Sequence, residues 1–238
     1  MNSPIATLKQ WVDESGKIVF FGGAGVSTES GIPDFRSVDG LYHQKFDYPP
    51  ETIISHSFFA QNPAYFFRFY REKMLPLGFS PNITHRKLAQ WEQDGKLLAV
   101  VTQNIDGLHQ KAGSRRVYEL HGSVLRNYCQ RCGKSHPAEY VKNARGVPLC
   151  PCGGIVKPDV VLYEESLDQE ILAQSVSAIR RADLMIVAGT SLTVYPAAGL
   201  IQYYQGDRLV LLNRDPTPYD GYANLVLHQS LGEVFSQL

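Results

Sequence analysis

The chain has 238 residues, of which 44% are hydrophobic, and this apolar content is too high for a disordered protein. Its 23 basic and 23 acidic residues balance, so no net field would draw it to nucleic acid or to an anionic membrane. No apolar run approaches the roughly 18 residues of a spanning helix, and no leader-like segment is visible. We therefore expect a cytoplasmic protein with no specific nucleic-acid partner and no membrane contact.

The predicted elements alternate between helices and short buried strands. Ser3 as N-cap and Pro4 in the first turn predict an amphipathic helix at the start. Short apolar runs predict strands at Ile18–Phe21, Leu97–Val101, Val117–Leu120, Leu184–Ala188, Arg208–Leu212 and Leu225–Leu227. Helical stretches lie between most of them, roughly at Pro63–Leu75, Thr84–Asp94, Leu167–Arg181 and Pro196–Gln205. This alternation predicts an α/β fold with a mostly parallel sheet, covered on both faces and doubly wound.

Two stretches interrupt the alternation. Residues 37–62 are rich in aromatic residues and Pro, and residues 126–158 hold all the cysteines together with Pro and Gly. We interpret both as insertions that form a small second domain. The large domain would then comprise residues 1–36, 76–125 and 159–238, and the small domain residues 37–75 and 126–158.

The first predicted strand runs into a glycine-rich loop, Gly22-Gly23-Ala24-Gly25-Val26-Ser27. Such glycines let the backbone approach a phosphate and present amides at a helix start. Thr28 replaces the third glycine of the dinucleotide fingerprint, so a simple tight turn is an alternative reading. No second strand ending in an acidic residue follows about 20 residues on, which argues against hydride transfer.

Polar residues follow four further predicted strands, at the edge where open α/β sheets bind ligands. They are Thr102-Gln103-Asn104-Ile105-Asp106, His121, Gly189-Thr190-Ser191 and Asn213-Arg214-Asp215. Each alone is also consistent with helix capping or ordinary loop chemistry. Together they favour a ligand site. An imidazole at that edge suits the removal of a proton from a ribose hydroxyl near neutral pH.

The four cysteines form two close pairs, Cys129-x2-Cys132 and Cys150-x-Cys152. Four thiolates in two pairs can surround one tetrahedral zinc, and a reducing compartment disfavours the alternative of disulfides. Because four thiolates leave no open coordination position, we predict a structural zinc rather than a catalytic one. The single residue in the second pair makes a tighter knuckle than the usual two.

These motifs together resemble the sirtuin (Sir2) family over nearly the whole chain, including Ser30-Gly31-Ile32-Pro33-Asp34-Phe35-Arg36-Ser37 and Leu120-His121-Gly122. The resemblance implies a Rossmann-like large domain, a small zinc-binding and helical domain, and NAD with an acyl-lysine peptide between them. In that family the acyl oxygen attacks the ribose carbon, nicotinamide leaves, and the general base then deprotonates a ribose hydroxyl. The products are free lysine, nicotinamide and O-acyl-ADP-ribose.

By position, the resemblance implies His121 as the general base and Asn104 as a second catalytic residue. The implied NAD-binding residues are Gly23, Ala24, Gly25, Asp34, Phe35, Arg36, Gln103, Asn104, Ile105, Asp106, Gly189, Thr190, Ser191, Asn213 and Asp215. The implied substrate residues are Val161, Tyr163, Thr193, Val194 and Tyr70. The peptide would add a strand between Val161–Tyr163 and Thr193-Val194, and the zinc ligands would be the cysteines named above.

Two positions bear on substrate choice. The family usually shows an aromatic-Gly-Glu ending where this chain has Tyr163-Glu164-Glu165, so Glu164 would alter access or favour basic flanking residues. Relatives that prefer succinyl-type acids carry Tyr-x-x-Arg in the helix near Tyr70. One register aligns that pair with Tyr70 and Lys73, and another aligns it with Phe67 and Tyr70. Both registers favour neutral over acidic acyl groups.

Two rival functions remain open on the sequence. The first keeps the NAD site and transfers ADP-ribose to a protein side chain. The second is a non-catalytic module that binds NAD or ADP-ribose and docks a partner through the zinc lobe. His121 argues against the second, because binding alone needs no base at that strand end.

Overall fold

The computed structural model describes residues 3–34, 40 and 45–238. Its larger sheet has six parallel strands in the order β3-β2-β1-β7-β8-β9. These strands are β1 Ile18–Gly22, β2 Leu97–Thr102, β3 Val117–Glu119, β7 Leu184–Ala188, β8 Leu209–Leu212 and β9 Leu225–Leu227. Each lies within one residue of its predicted bounds, and the predicted α/β fold is confirmed.

Helices cover both faces of this sheet. The two faces can be followed along β1, where alternate residues belong to different apolar clusters. Ile18 and Phe20 belong to one apolar cluster, and Val19 and Phe21 belong to the other. The first cluster is covered by α1 Pro4–Glu14, α5 Ile83–Gln93 and α9 Leu231–Phe235, and the second by α8 Gln169–Arg181. The short α6 Leu108–Ala112 follows β2. Ser3 caps α1 as predicted, accepting a hydrogen bond from the Ala6 amide at 3.2 Å.

The helical stretch predicted roughly at Pro196–Gln205 is short and tightly wound. Residues Ala197–Tyr203 form a 3₁₀ helix rather than an α-helix. Gly199 lies in the middle of this short segment, where glycine disfavours an α-helix. A further 3₁₀ turn spans Asp220–Tyr222.

A smaller antiparallel sheet, in the order β5-β4-β6, lies beside the larger one. Its strands are β4 Gly122–Cys129, β5 Ser135–Pro137 and β6 Val156–Val160, with α7 Ala138–Asn143 against them. This sheet begins at Gly122 rather than at Arg126, because the chain turns into β4 directly after His121. The division into two domains therefore stays a prediction.

The remaining helices are α2 Pro50–Ile53, α3 His56–Gln61 and α4 Pro63–Phe69, and α4 continues as one π-helical turn, Tyr70–Met74. The helical stretch predicted roughly at Pro63–Leu75 is confirmed, and its last turn is π-helical. Aromatic residues of these helices share an apolar cluster with β4 and β6. In the part of the chain that the structure describes, no helix combines the length and apolarity needed to cross a bilayer.

His85 and His109 are buried side by side in the large core, with their ring centroids 4.7 Å apart. Burial lowers the pKa of His85 from 6.5 to about 4, and it also lowers the pKa of His109. The unfolded chain therefore binds protons on these rings at higher pH than the folded chain does. The contribution of the neutral rings to the free energy of unfolding is fully present above pH 6.5 and is lost as the pH falls toward 4.

We expect the free energy of unfolding to fall by about 2 kcal/mol between pH 6.5 and about pH 5 for His85 alone. Urea denaturation at a series of pH values measures this slope. The His85→Gln variant should show a flatter dependence, and zinc content measured in parallel controls for acid release of metal. Identical slopes in the two proteins would contradict the assignment.

Candidate active site

A cavity of about 540 Å³ lies at the carboxyl ends of the parallel strands. It is lined by loops that follow β1, β2, β3, β7 and β8, together with residues after β6 and residues 229–231 near the start of α9. Its volume is in the range of small-molecule sites. The edge of the sheet that the sequence predicts as a ligand site is therefore concave.

Most of the predicted site residues line this cavity. They are Gly23, Ala24, Gly25, Asp34, Gln103, Asn104, Ile105, Asp106, His121, Val161, Tyr163, Gly189, Thr190, Ser191, Val194, Asn213 and Asp215. Phe35 and Arg36 lie outside the described residues. The structure thus brings the glycine-rich loop, the polar residues after four further strands and both edges of the predicted peptide groove to one place.

Two predicted substrate residues do not line the cavity. The hydroxyl groups of Thr193 and Ser191 are 2.8 Å apart, and the neighbouring Val194 lines the wall instead of Thr193. Tyr70 is fully buried and stacks on Phe66, with ring centroids 5.7 Å apart, because the aromatic cluster that α3 and α4 share with β4 and β6 encloses it. Lys73, from the same π-turn, lines the cavity.

The glycine-rich loop packs tightly against the loop after β7. Gly25 N–H donates to the Gly189 carbonyl at 2.8 Å, so this amide is occupied within the protein. A Cβ on Gly23 would lie 2.7 Å from the Thr190 Cβ, and one on Gly25 would lie 2.8 Å from the Gly189 Cα. The loop forms a 3₁₀ turn at Ala24–Val26 rather than the start of a long helix. Its glycines therefore serve first to let two loops approach each other.

Ser27 joins the glycine-rich loop to the loop after β2. Its hydroxyl donates to Asp106 Oδ2 at 2.7 Å and accepts from Asn104 Nδ2 at 3.0 Å. Gln103 Nε2 in turn donates to the Thr190 hydroxyl at 3.0 Å. These bonds hold the polar loops in one arrangement before any ligand binds.

Asp106 contributes a half-buried carboxyl group to this network. Burial raises its pKa, while the Leu108 N–H and the Ser27 hydroxyl, which both donate to the carboxylate, oppose that rise. The carboxylate therefore has fixed donors that orient it on the cavity wall.

His121 lies directly after β3, and its ring is oriented by the backbone. Its Nδ1 is 3.0 Å from the Gln103 carbonyl oxygen, which can only accept, so Nδ1 carries the proton. The neutral ring then has an unprotonated Nε2, which is free to take a proton. Burial lowers the pKa of His121, while the hydrogen bond to Gln103 raises it. The ring is thus held neutral near pH 7, as a general base must be.

Gly122 fixes the backbone beside His121. It has a φ of 75°, and a Cβ there would lie 1.9 Å from the Asp159 carbonyl oxygen. Only glycine fits this turn, because both the conformation and the contact exclude a side chain. The neighbouring His121 carbonyl accepts from the Val161 amide at 3.0 Å, which ties the histidine to the predicted peptide edge.

The cysteine cluster lies at the far end of β4. The Sγ atoms of Cys129 and Cys152 are 3.4 Å apart, those of Cys132 and Cys150 3.8 Å, and those of Cys132 and Cys152 3.5 Å. A tetrahedron of zinc–sulfur bonds of about 2.3 Å has edges of about 3.8 Å. The four thiols, all within 4.8 Å of one another, therefore fit one zinc ion with no open position.

The sequence model of the Sir2 family matches residues 23–196, which include the glycine-rich loop, His121 and the cysteines. The chain belongs to the Sir2 family. Within that family it is 60% identical over 234 residues to an NAD-dependent protein deacetylase of Clostridium acetobutylicum, and the match covers 97% of this chain and 96% of the relative.

Solved Sir2 structures share the whole fold. A Sir2 variant with a deacetylated p53 peptide and 3′-O-acetyl-ADP-ribose matches with a TM-score of 0.91 at 39% identity, covering 98% of this chain and 96% of that one. A Sir2 complex with a p53 peptide and NAD⁺ matches with a TM-score of 0.87 at 40% identity, covering 100% and 97%. At these identities the Sir2 likeness extends beyond the fold alone.

Some residues of this Sir2-family site are absent from the sequence prediction of the site. Ser27 belongs to the same motif as Gly23–Gly25, and a small hydroxyl group at the end of a glycine-rich loop is the signal that would have found it. Ser230 and Leu231 line the cavity from the far end of the chain. No local motif marks them, because the sheet topology alone brings them to the site.

Proposed function

We propose that the chain is an NAD-dependent protein lysine deacetylase that acts on acyl-lysine peptides or proteins in the cytoplasm, where its free thiols can keep zinc bound. Its products would be deacylated lysine, nicotinamide and O-acyl-ADP-ribose. The observation that carries the proposal is the neutral, oriented imidazole of His121 on the wall of the cavity. The names of the relatives and the ligands in the related Sir2 structures support it.

The residues on the wall divide the proposed NAD site by chemistry. Gly23, Ala24, Gly25, Thr190 and Ser191 would hold the phosphates, with Gly189 giving the close approach, and Asn213 and Asp215 would hold the adenosine. Asp34 and Ile105 would bind the nicotinamide carboxamide, and the prediction that Phe35 and Arg36 also bind NAD, with Phe35 covering the reacting ribose carbon, rests on the Sir2 resemblance alone. Gln103, Asn104 and Asp106 would orient the ribose, since the network through Ser27 already fixes their positions.

When bound, NAD supplies an electrophilic ribose carbon and the nicotinamide leaving group for attack by the acyl oxygen. The polar groups of the chain hold that carbon inside a cavity, where contact with bulk water is reduced. His121 Nε2 then accepts a proton from a ribose hydroxyl, and Asn104 holds the surrounding geometry. A zinc ion held by the four cysteines would contribute to folding rather than to the reaction, because four thiolate ligands leave no position for substrate.

The acyl-lysine peptide would lie between Val161–Tyr163 and Val194. One side of the first segment is already bonded: Tyr163 N–H donates to the Ile54 carbonyl at 3.0 Å, and the Tyr163 carbonyl accepts from His56 N–H at 3.0 Å. These bonds keep the segment extended. Main-chain pairing of this kind tolerates many peptide sequences.

The decisive experiment measures nicotinamide release from NAD with and without an acetyl-lysine peptide, together with the fate of the acetyl group. Peptide-dependent release with transfer of acetyl to ADP-ribose is the expected result. Release with ADP-ribose attached to a protein would favour the ADP-ribosyltransferase instead. Binding of NAD with no release under either condition would leave only the binding module.

The same site predicts the preferred acyl group. Lys73 is the π-turn cation on the cavity wall, and its Nζ is 3.1 Å from Glu72 Oε1, so it has a carboxylate partner already. A succinyl carboxylate would have to compete with Glu72 for Lys73. If it stayed unpaired, its burial in an apolar site would be costly. We expect kcat/KM for acetyl-lysine to exceed that for succinyl-lysine by at least about tenfold.

Steady-state kinetics on one peptide sequence with different acyl groups measures this ratio. A butyryl-lysine peptide has the carbon count of succinyl without its charge and therefore separates charge from size. Faster turnover of the succinyl peptide would mean that Lys73 leaves Glu72 and reaches the acyl group.

A further inference from the structure

Glu164 has a backbone conformation that side chains seldom adopt. Its φ is 75°, in the left-handed region where glycine is favoured and where long, unbranched acidic side chains are uncommon. It lies in the segment that follows β6 and lines the cavity. A strained residue on a cavity wall persists only where its surroundings hold it, and such residues concentrate at functional sites.

Both oxygens of the Glu164 carboxylate are held by one residue of α3. The Ser57 amide donates to Oε2 at 2.9 Å, and the Ser57 hydroxyl donates to Oε1 at 3.0 Å. Both donors are neutral, so the side chain keeps its full negative charge. Each oxygen of a carboxylate can accept more than one hydrogen bond, so capacity for a further donor remains.

The neighbouring carboxylate of Glu165 differs in its partners. Glu165 Oε2 is 3.1 Å from Lys157 Nζ, and Glu165 Oε1 is 2.9 Å from His56 Nδ1. Among the residues that the structure describes, Glu164 has no such cationic partner. The negative charge at this edge of the groove is therefore that of Glu164, while Glu165 is compensated locally.

We propose that Glu164 is a specificity-determining residue that favours acyl-lysine peptides with Lys or Arg beside the modified lysine. The proposal rests on the proposed deacetylase function, and it adds a preference for charge next to the reacting side chain. Exposed ion pairs are usually weak because two mobile side chains must be ordered. Ser57 already orders one of them, so that part of the cost is met before the peptide binds.

The two residues expected on the other side of the peptide carry no charge. They are Val194 and Tyr195, which line the cavity, and both are uncharged near pH 7. A basic peptide residue would thus meet an attractive group on one side and no repulsion from these two residues on the other. An acidic peptide residue would meet like charge at Glu164, which disfavours binding.

The test uses acetyl-lysine peptides that differ only by Arg or Glu at one flanking position, with each flank scanned in turn. At the flank that meets Glu164, kcat/KM should favour Arg over Glu by about threefold to tenfold. The ratio should arise mainly in KM and should fall toward one in about 0.5 M NaCl, where the screening length is only a few ångströms.

Two variants separate charge from shape. Glu164→Gln keeps the length of the side chain, and Glu164→Gly relieves the φ of 75° and removes the carboxylate. Both should bring the Arg-to-Glu ratio close to one, whatever they do to the absolute rate. The control Glu51→Gln removes an exposed carboxylate of α2 that does not line the cavity, and it should leave the ratio as in the wild type.

A wild-type ratio near one at every flank would overturn the proposal, as would a ratio that persists in both Glu164 variants. Either result could occur in an enzyme that deacetylates normally, so the proposed function would stand. Absence of any peptide-dependent nicotinamide release would instead remove the proposed function and this preference together.

Discussion

Replacement of His121 with alanine is expected to reduce deacetylation by about 10²–10⁴-fold, the usual loss when a general base is removed. The physical reason is that in the proposed reaction His121 Nε2 accepts the proton, while other residues of the cavity wall would hold NAD. The variant should therefore stay folded and still bind NAD. Turnover of an acetylated peptide measures the loss, and NAD-dependent thermal stabilisation measures the retained binding.

The position of His121 in the proposed reaction gives a sharper control. Its proton transfer follows the departure of nicotinamide, so exchange of labelled nicotinamide into NAD in the presence of peptide should survive better than product formation. Loss of exchange and deacetylation to the same degree would place His121 in the earlier step. Near-normal turnover in the variant would mean that the base lies elsewhere.

The wild-type rate should also depend on pH in a defined direction. Since burial lowers the pKa of His121 from 6.5, the ring stays unprotonated to lower pH than a free histidine. The midpoint of the acidic limb of the kcat/KM profile should accordingly lie below pH 6.5. A limb well above that value would argue that a different group must lose its proton.

Removal of one zinc ligand is the second change with a large expected effect. Cys129→Ala should lose stoichiometric zinc and several kcal/mol of stability, because binding of a metal by four thiolates contributes directly to the free energy of folding. Cys129 is the buried member of the first pair and ends β4. Elemental analysis and urea denaturation measure the two losses, and activity should fall with them.

Chelation of the wild-type protein followed by return of zinc is the matched control. Activity should disappear with the metal and recover with it, provided that the thiols are kept reduced. Full activity in metal-free protein would contradict a structural role, as would a disulfide between these cysteines in the active form.

The central strands of the large sheet could be predicted from sequence because they are short apolar runs that are buried on both faces. β7 Leu184–Ala188 shows this well, since all five residues are buried. The predicted helix at Pro196–Gln205 is 3₁₀ instead, and the helix at Pro63–Leu75 ends in a π-turn. Apolar spacing indicates that a segment is helical but does not fix its hydrogen-bonding pattern.

In the candidate site, too, some residues could be predicted from local sequence and others depend on the tertiary structure. Residues at strand ends, such as His121 and Asp106, could be predicted because parallel strands bring their carboxyl ends to one edge. Tyr70 could not be placed, because its distance from the cavity depends on how the aromatic helices pack. Ser230 reaches the wall through the sheet topology, which no local pattern records.

The metal site and the histidine occupy the two ends of one strand. β4 starts at Gly122, directly after His121, and its eight residues extend roughly 25 Å to Cys129. β6 runs back antiparallel from Val156 to Val160, next to the Val161 amide that bonds the His121 carbonyl. We therefore expect bound zinc to raise the free energy of local opening for this pair of strands, and its loss to speed amide hydrogen exchange around His121, which the zinc site does not contact.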